Sequence, residues 1–447
     1  MAGNSFLPFP ATHRRAKKWL LRHGLRGTLR RFFIFVLSVV FLIDTLKIGG
    51  HNPEYDWYST RVHPEPPREY RIFIASIHRN NEAILSSHWC AAVIELAKFF
   101  GPDNVYVSLY ESGSIDNTKG VLQAFDQDLE SWGVRRTVIL DEHDQLEEVA
   151  NAPEEYKPGW VYTSENAFEL RRIPYLANLR NEVMKPLYEE EEVGRSYDYV
   201  LWLNDVVFTV EDVMTLLQTR DGQWDSVCAL DFSVNNKYYD TFALRDALGQ
   251  KAEPIDWPFF VDSTARQAVR HNEPLQVKSC WNGVIAMKAS PFYGPSPLKF
   301  RGVPDSLAQH HLEGSECCLI HADNSAKLDA ANKSQGVWLN PNVRVGYKPE
   351  VYKAVNPQKW VSDRGGKWIE KTKWPGGARR IIGMWKNRIA RLPGYLKGAS
   401  EKAVVSKRIA AWESEGQAEG ESRKEEGDFC IINEMQVLYS AGWKHRD

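Results

Sequence analysis

The chain has 447 residues, enough for one large domain or two with a substantial core. Its 56 Lys and Arg almost cancel 58 Asp and Glu, leaving a formal charge of −2. No global field therefore marks it for nucleic acid, and none is expected among its partners. Sixteen Trp and eighteen Tyr suit an ordinary large core, and equally suit stacking against sugar faces.

The N-terminus carries Arg14, Arg15, Lys17, Lys18, Arg22, Arg26, Arg30 and Arg31 with no acid among them. The apolar run Phe32 to Ile43 follows and continues weakly past Asp44 and Lys47 to Ile48. A spanning helix usually needs about 17–25 apolar residues, so this run is short, although thinner internal membranes tolerate that. The long basic flank, with no small-x-small site after the run, favours an uncleaved signal-anchor over a cleaved signal peptide. The expected layout is a basic cytosolic tail (1–31), a transmembrane signal-anchor (32–48) and a Pro- and His-rich stem (49–69). A domain at 70–350 and a C-terminal extension at 351–447 follow, both in a secretory lumen.

Ile72 to Ile77 reads as a first strand, and Asn80-Asn81-Glu82 as a turn opening an apolar helix that Gly101-Pro102 ends. Val105 to Tyr110 is a second strand. Gly113-Ser114 turns the chain, and Asp116-Asn117-Thr118 opens another helix. Val134 to Leu140 is a third strand, and this alternation implies a mainly parallel sheet flanked by helices. Residues 141–170 read as a loop and 173–193 as a helix. Tyr199 to Leu203 is a buried strand, and 210–217 a helix. Ser226 to Leu230 is a strand ending at Asp231, and 233–275 is irregular and aromatic, with a candidate lid at 256–273. Val277 to Met287 is a strand pair or a bulged strand. Residues 400–427 are charged and expected to be flexible or a surface helix. Phe429 to Trp443 is apolar and should dock back.

Cys90, Cys228, Cys280, Cys317, Cys318 and Cys430 follow the membrane segment. Some are expected to pair, in a pattern not readable from spacing, and adjacent Cys317 and Cys318 cannot easily bond each other. Asn332-Lys333-Ser334 is a glycosylation sequon that suits a lumenal position.

Asn204-Asp205 arrives where the fourth strand finishes. Ligands bind at the carboxyl ends of strands in open α/β sheets, and a lone Asp beside an amide suits a divalent cation shared with a diphosphate. The bland alternative is a helix cap or turn. The turn Glu111-Ser112-Gly113-Ser114-Ile115-Asp116-Asn117-Thr118 resembles one that holds base and ribose in nucleotide-sugar enzymes of the GT-A type. An acid at a strand end accepts hydrogen bonds from a base, and Gly permits close backbone approach.

Four further ordered motifs narrow the resemblance. They are Trp202 to Phe208, Tyr239 to Asp246, Ser279-Cys280-Trp281-Asn282-Gly283 and Ser315-Glu316-Cys317-Cys318-Leu319. Together they resemble the fungal α-1,3-mannosyltransferase and capsule-associated family (glycosyltransferase family sixty-nine, the cryptococcal mannosyltransferase type). The resemblance implies a GT-A-like, Rossmann-like fold, GDP-mannose as donor and a divalent metal, Mn²⁺ foremost. It also implies an α-mannoside glycan acceptor and a Golgi or other secretory-pathway membrane location as a single-pass type II protein. On this reading Asn80, Glu82, Glu111, Gly113, Ser114, Asp116, Arg180, Asn204, Asp205, Trp281, Asn282 and Gly283 contact the nucleotide sugar. Asp205 and His321 are the candidate metal ligands. The second acid of the usual acidic-x-acidic motif is replaced by Val206. Arg79, Arg180 and Arg301 are candidate phosphate clamps. The catalytic carboxylate is one of Glu316, Glu313, Asp240 and Asp231, with Glu316 and then Asp240 favoured. Two rival readings stand: a non-catalytic glycan-binding scaffold that assembles with other transferases, and a transferase for another nucleotide sugar.

Overall fold

The computed structural model describes residues 12–49, 58–60, 70–142, 145–234, 237–252, 255–330, 333–356, 358–362, 368–373, 378–439 and 442–446. Asn332 of the sequon and most of the stem lie outside the described residues. The chain divides into two units, Met1–Pro53 and Glu54–Asp447. The first is a continuous helix α1 (Thr12–Gly49), which runs through both the basic and the apolar stretches. Its side chains from Phe32 to Ile43 are exposed.

The second unit is built on one ten-stranded sheet. In chain order its main strands are β1 (Ile72–His78), β2 (Val105–Ser112), β3 (Arg135–Asp141), β4 (Tyr199–Leu203), β5 (Ser226–Val234), β6 (Arg245–Asp246), β7 (Leu275–Ser279), β8 (Val284–Lys288) and β9 (Val337–Gly346). They lie in the order β6-β7-β9-β5-β8-β4-β1-β2-β3. β1 pairs parallel with β2 and β4, β2 with β3, and β5 with β9. β7 and β8 run against the others. The carboxyl ends of β1, β2, β4, β5 and β9 therefore emerge on one edge, where the register sets His78 beside Glu111 and Asp231 beside Val345.

Alternation along the strands sorts side chains to two faces. Ile72, Ile74, Leu201 and Leu203 join a core with Leu85, Trp89 and Val93 of α2 (Glu82–Phe100), Leu122 and Phe125 of α3 (Thr118–Ser131), and Met214 of α5 (Val210–Leu217). α2 is long and apolar enough to cross a membrane, yet Leu85, Trp89, Val93 and Leu96 are buried in this core. The other face receives α4 (Arg172–Glu192), on which Val183 accepts a hydrogen bond from Ser108 at 2.7 Å, and α7 (Glu316–Ala330). Helix α6 (Ser263–His271) packs against β7.

Several expectations change. β9 has no counterpart in the pattern reading, because Asn340-Pro341-Asn342 interrupts its alternation and its pairing with β5 shifts register there. The candidate lid is anchored by buried Phe259, Phe260 and Val269, with α6 inside it. The span 141–170 holds a short helix (Gln145–Ala150) and a hairpin of Trp160–Tyr162 with Phe168–Leu170. The charged stretch 400–427 falls largely within a 42-residue helix, α8 (Ala378–Glu419), that passes Gly383 and Pro393 without ending. Val405 and Trp412 on it are buried, and full burial of a side chain like Val405 contributes about 1.5–3 kcal/mol. The terminal segment does dock back. Ile431–Ile432 pairs with Glu313–Gly314, and Cys430 is bonded to Cys318.

Candidate active site

Two turns leave β1 and β2 and close on each other. Asn80 holds a positive φ of 54°, which Asn tolerates better than most residues. Its N–H donates to Ser114 Oγ at 2.8 Å, and its Oδ1 accepts from Ile115 N at 2.9 Å. Glu82 Oε2 accepts from Asn117 N at 3.1 Å, and Asp116 Oδ2 from Glu82 N at 3.2 Å. Asp116 is partly desolvated, but hydrogen bonds from Thr118 and Glu82 win and hold it below the usual carboxylate range. Gly113, at φ 59°, permits the turn that brings Ser114 N onto Glu111 Oε1. The other oxygen, Oε2, is buried without a hydrogen bond, with Lys119 Nζ 3.7 Å away. That is an acceptor available to a donor group such as a base N–H.

Asn81 joins these turns to the end of β4. Its N–H donates to Thr118 Oγ1 at 2.8 Å, and its Nδ2 to Asp205 Oδ2 at 2.9 Å. Burial pushes the Asp205 carboxyl up to about 6, against that hydrogen bond. Asn204 is clamped from both faces of the sheet. Trp89 Nε1 donates to its carbonyl and Trp281 Nε1 to its Oδ1, each at 3.0 Å.

Asp231 and Asp240 complete a group of acids. Asp240 N donates to Asp231 Oδ1 at 3.2 Å, and Tyr347 Oη donates to Asp231 Oδ2 at 3.0 Å. Asn282 N lies 3.4 Å from Asp240 Oδ2, and Asn282 Nδ2 donates to Asp231 and Tyr238. Burial, then the charge of Asp240, raises Asp231; burial also raises Asp240, opposed by backbone N–H groups of Ala243, Asn282 and Phe242. Tyr347 links the two strand ends: its Oη lies 3.5 Å from Asn204 Nδ2 and donates to Asp231, and its ring meets that of Tyr239 at 4.8 Å between centroids. Gly283 closes the floor at φ 79°. A Cβ there would meet Val345 Cγ2 at 2.7 Å and Val206 Cγ1 at 3.2 Å.

Arg180 sits beside this group. Its guanidinium lies over Trp281 (4.4 Å) and Trp202 (5.0 Å), and Nε donates to Glu316 Oε1 at 3.1 Å. Glu316 and Asp240 are among the charges that raise its basicity against the cost of burial. Glu316 thus anchors Arg180 and also lies 3.4 Å from Cys317 Sγ.

The structure brings together most of the residues picked from sequence, but not all. His321 is buried with Nε2 2.7 Å from the Cys280 carbonyl, and burial pulls it down to about 4. Its metal-capable neighbours are Cys228 and Cys280, whose sulfurs form a disulfide and are not thiolates. No hydrogen bond joins it to Asp205 among the described residues, so its placement is that of a packed core histidine. Arg301 is held by Asp323 and Glu425, with Nε 2.7 Å from Asp323 Oδ2. Glu313 is bidentate with buried Arg171, at 2.8 and 3.0 Å through Nη2. These pairings, not a substrate, account for Arg301 and Glu313. Two further residues join the site without a motif to mark them: Asn81, inside the Asn80-Asn81-Glu82 turn, and Tyr347, which follows β9.

Asp205, Asp231 and Asp240 offer oxygen ligands of the kind a hard divalent cation takes, but among the described residues the three carboxylates do not converge within ligand distance of one another. A residue model of the family described as cryptococcal mannosyltransferase 1 matches residues 71–323, which contain all of these acids. The chain is 26% identical over 288 residues to alpha-1,3-mannosyltransferase CMT1 of Cryptococcus neoformans var. neoformans serotype D, covering 59% of this chain and 55% of that protein. Two solved structures overlap loosely. One is mannosyltransferase PcManGT from Pyrobaculum calidifontis in complex with GDP-Man and Mn²⁺, at 10% identity and a TM-score of 0.35, covering 86% of this chain and 90% of that one. The other is S. aureus TarS 1–349 in complex with UDP, at 11% identity and a TM-score of 0.31, covering 63% and 62%. Overlaps this loose carry no argument. The family match spans more than half of the chain and encloses the whole acid cluster, and the chain belongs to the cryptococcal mannosyltransferase 1 family.

Proposed function

We propose that this protein transfers mannose from GDP-mannose to the 3-hydroxyl of an α-mannoside glycan with retention of configuration. On this reading the fold is of GT-A type, and the protein is a type II membrane protein with its catalytic unit in a Golgi or related lumen. The observation that carries the reading is Asn81. It ties the two nucleotide-type turns to Asp205, and the adjacent Asn204 lies 3.5 Å from Tyr347 Oη, which also donates to Asp231. The exposed apolar run of α1 supports the anchor, because an all-round apolar helix is stable only when buried in protein or lipid.

Glu111, through the oxygen that accepts no hydrogen bond, would receive the base or ribose, and Gly113 would let the nucleotide lie close to the backbone. Asp205 would hold a divalent cation, which when bound neutralises the leaving diphosphate as a Lewis acid. Val206 stands where a second acid is usual, but its side chain is buried against the Gly283 turn, where a charge would be costly. Asp231, at the end of β5 on the far side of β8, would supply the second carboxylate instead. The acceptor hydroxyl forms the new bond to the anomeric carbon on the face the diphosphate leaves, and its proton goes to the departing phosphate oxygen. Asp240, which unlike Glu316 makes no ion pair among the described residues, would be the carboxylate that meets the developing positive charge. Glu316 is occupied with Arg180 and acts by holding that guanidinium over Trp281.

Calorimetric titration with GDP, GDP-mannose and UDP, each with Mn²⁺ and with EDTA, tests the reading. Metal-dependent binding of the guanine ligands, GDP release on adding α-mannosides, and loss of both in Asp205→Ala are expected. Equal binding of UDP would replace the donor, and retained turnover in folded Asp205→Ala would overturn the site.

A further inference from the structure

A partly open polar cavity lies between helices α6 and α8, lined by Arg266, Arg270, Arg388 and Arg391 with Asn387 and Met384. Its volume is about 150 Å³, the room that roughly five waters take in the liquid. Arg266 donates to the carbonyls of Phe260 (3.4 Å) and Val261. No ion pair involves Arg266, Arg270 or Arg391 among the described residues, whereas Arg171, Arg180 and Arg301 each have carboxylate partners. The Nε of Arg391 is buried with no acceptor. Burial, then the charges of Arg391, Arg270 and Arg388, lowers Arg266 despite Asp262, and burial with Arg388 lowers Arg391. Arginines are always charged near neutral pH, so Arg266, Arg270 and Arg391 face one another across this cavity against their mutual repulsion.

We infer that this cavity binds a phosphate group, with the guanidiniums of Arg266, Arg270, Arg388 and Arg391 as donors. Guanidinium forks match phosphate oxygens bidentately, and a doubly charged tetrahedral anion is compact enough for the space. Ile389 (71% exposed) and Leu392 (66% exposed) border the arginines on α8. The phosphate therefore comes either free or on a lipid headgroup whose chains would lie on that apolar border.

The test uses the full chain in a neutral detergent, with inorganic phosphate and a short-chain phosphatidic acid as probes, and reads binding by calorimetry and by melting temperature. Phosphate should bind and raise the melting temperature. Arg270→Ala and Arg391→Ala should each weaken it about tenfold, and Arg391→Lys less, because a point charge lacks the fork. Without phosphate, Arg391→Ala should melt at or above the wild type, since it removes repulsion; a structural arginine would melt lower. Tighter binding of the phosphatidic acid than of phosphate, reduced by Ile389→Ser, would identify the headgroup as source, and equal binding would identify the free anion. No phosphate binding, or binding unchanged in Arg270→Ala and Arg391→Ala, refutes the inference. Should Arg391→Ala fail to fold, Arg270→Ala decides.

Discussion

Replacing Asp205 by Asn should make the ligand-free protein more stable while abolishing its function. Burial raises the folded-state carboxyl from 3.8 to about 6. A group whose folded pKa is raised contributes stability below its unfolded pKa and loses it as pH climbs through the folded value. Wild type therefore loses stability between about pH 4 and 6, and Asp205→Asn does not. Two pKa units correspond to at most about 3 kcal/mol, and the solvent contact that Asp205 keeps reduces this to about 1–2 kcal/mol. For a unit of about 390 residues, with unfolding entropy near 2.1 cal/mol/K per residue, that is a gain of about 1–3 °C. Asn can still present Oδ1 to Asn81 Nδ2, so the 2.9 Å link between the turns need not break. The assay is a set of melting curves for both proteins from pH 4 to 8, with and without Mn²⁺. The difference should open between pH 4 and 6 and stay constant above, and Mn²⁺ should stabilise only the wild type. A variant less stable at pH 8, or a gain equally large at pH 4, would refute the reasoning.

Arg180→Ala should destabilise by about 3–5 kcal/mol, because Glu316 would be left as a buried unpaired carboxylate; Arg180→Met with Glu316→Gln should recover much of it, and denaturant melts measure both. Gly283→Ala should reduce stability and donor affinity together, since the new Cβ meets Val345 at 2.7 Å in a left-handed backbone; calorimetry in a variant of native melting temperature and unchanged affinity would count against it. Cys430→Ser should lower stability by up to about 4–5 kcal/mol, the chain-entropy value for closing a loop with a separation of 112 residues, and reductant should affect the wild type far more than the variant. Native protein at pH 8 should resist iodoacetamide at Cys90 and Cys317. Burial pushes the Cys90 thiol up to about 12 and raises Cys317 as well, so rapid labelling read by mass spectrometry would contradict their packing.

The local signals needed no tertiary information. Short apolar runs and punctuating turns located the strands beginning at Ile72, Val105 and Tyr199, because each buries both faces and must be apolar along its length. Asn204-Asp205 could be placed at a strand end for the same reason, and the family motifs marked Trp281-Asn282-Gly283. Charge and apolar runs alone suggested the anchor. What chain order cannot encode is which distant groups neutralise one another. Glu313, Glu316, Arg180 and Arg301 look alike as sequence, yet one arginine stacks on Trp281 beside the acids while the other is held by Asp323 and Glu425. His321 looked like a ligand until the fold set it against the Cys280 carbonyl beside a disulfide. Strand β9, broken by Pro341, brings Tyr347 onto Asp231, and only sheet register could show it. Partner choice is decided by long-range packing, where burial makes an unpaired charge costly and so fixes which carboxylates support the fold and which stay available for chemistry.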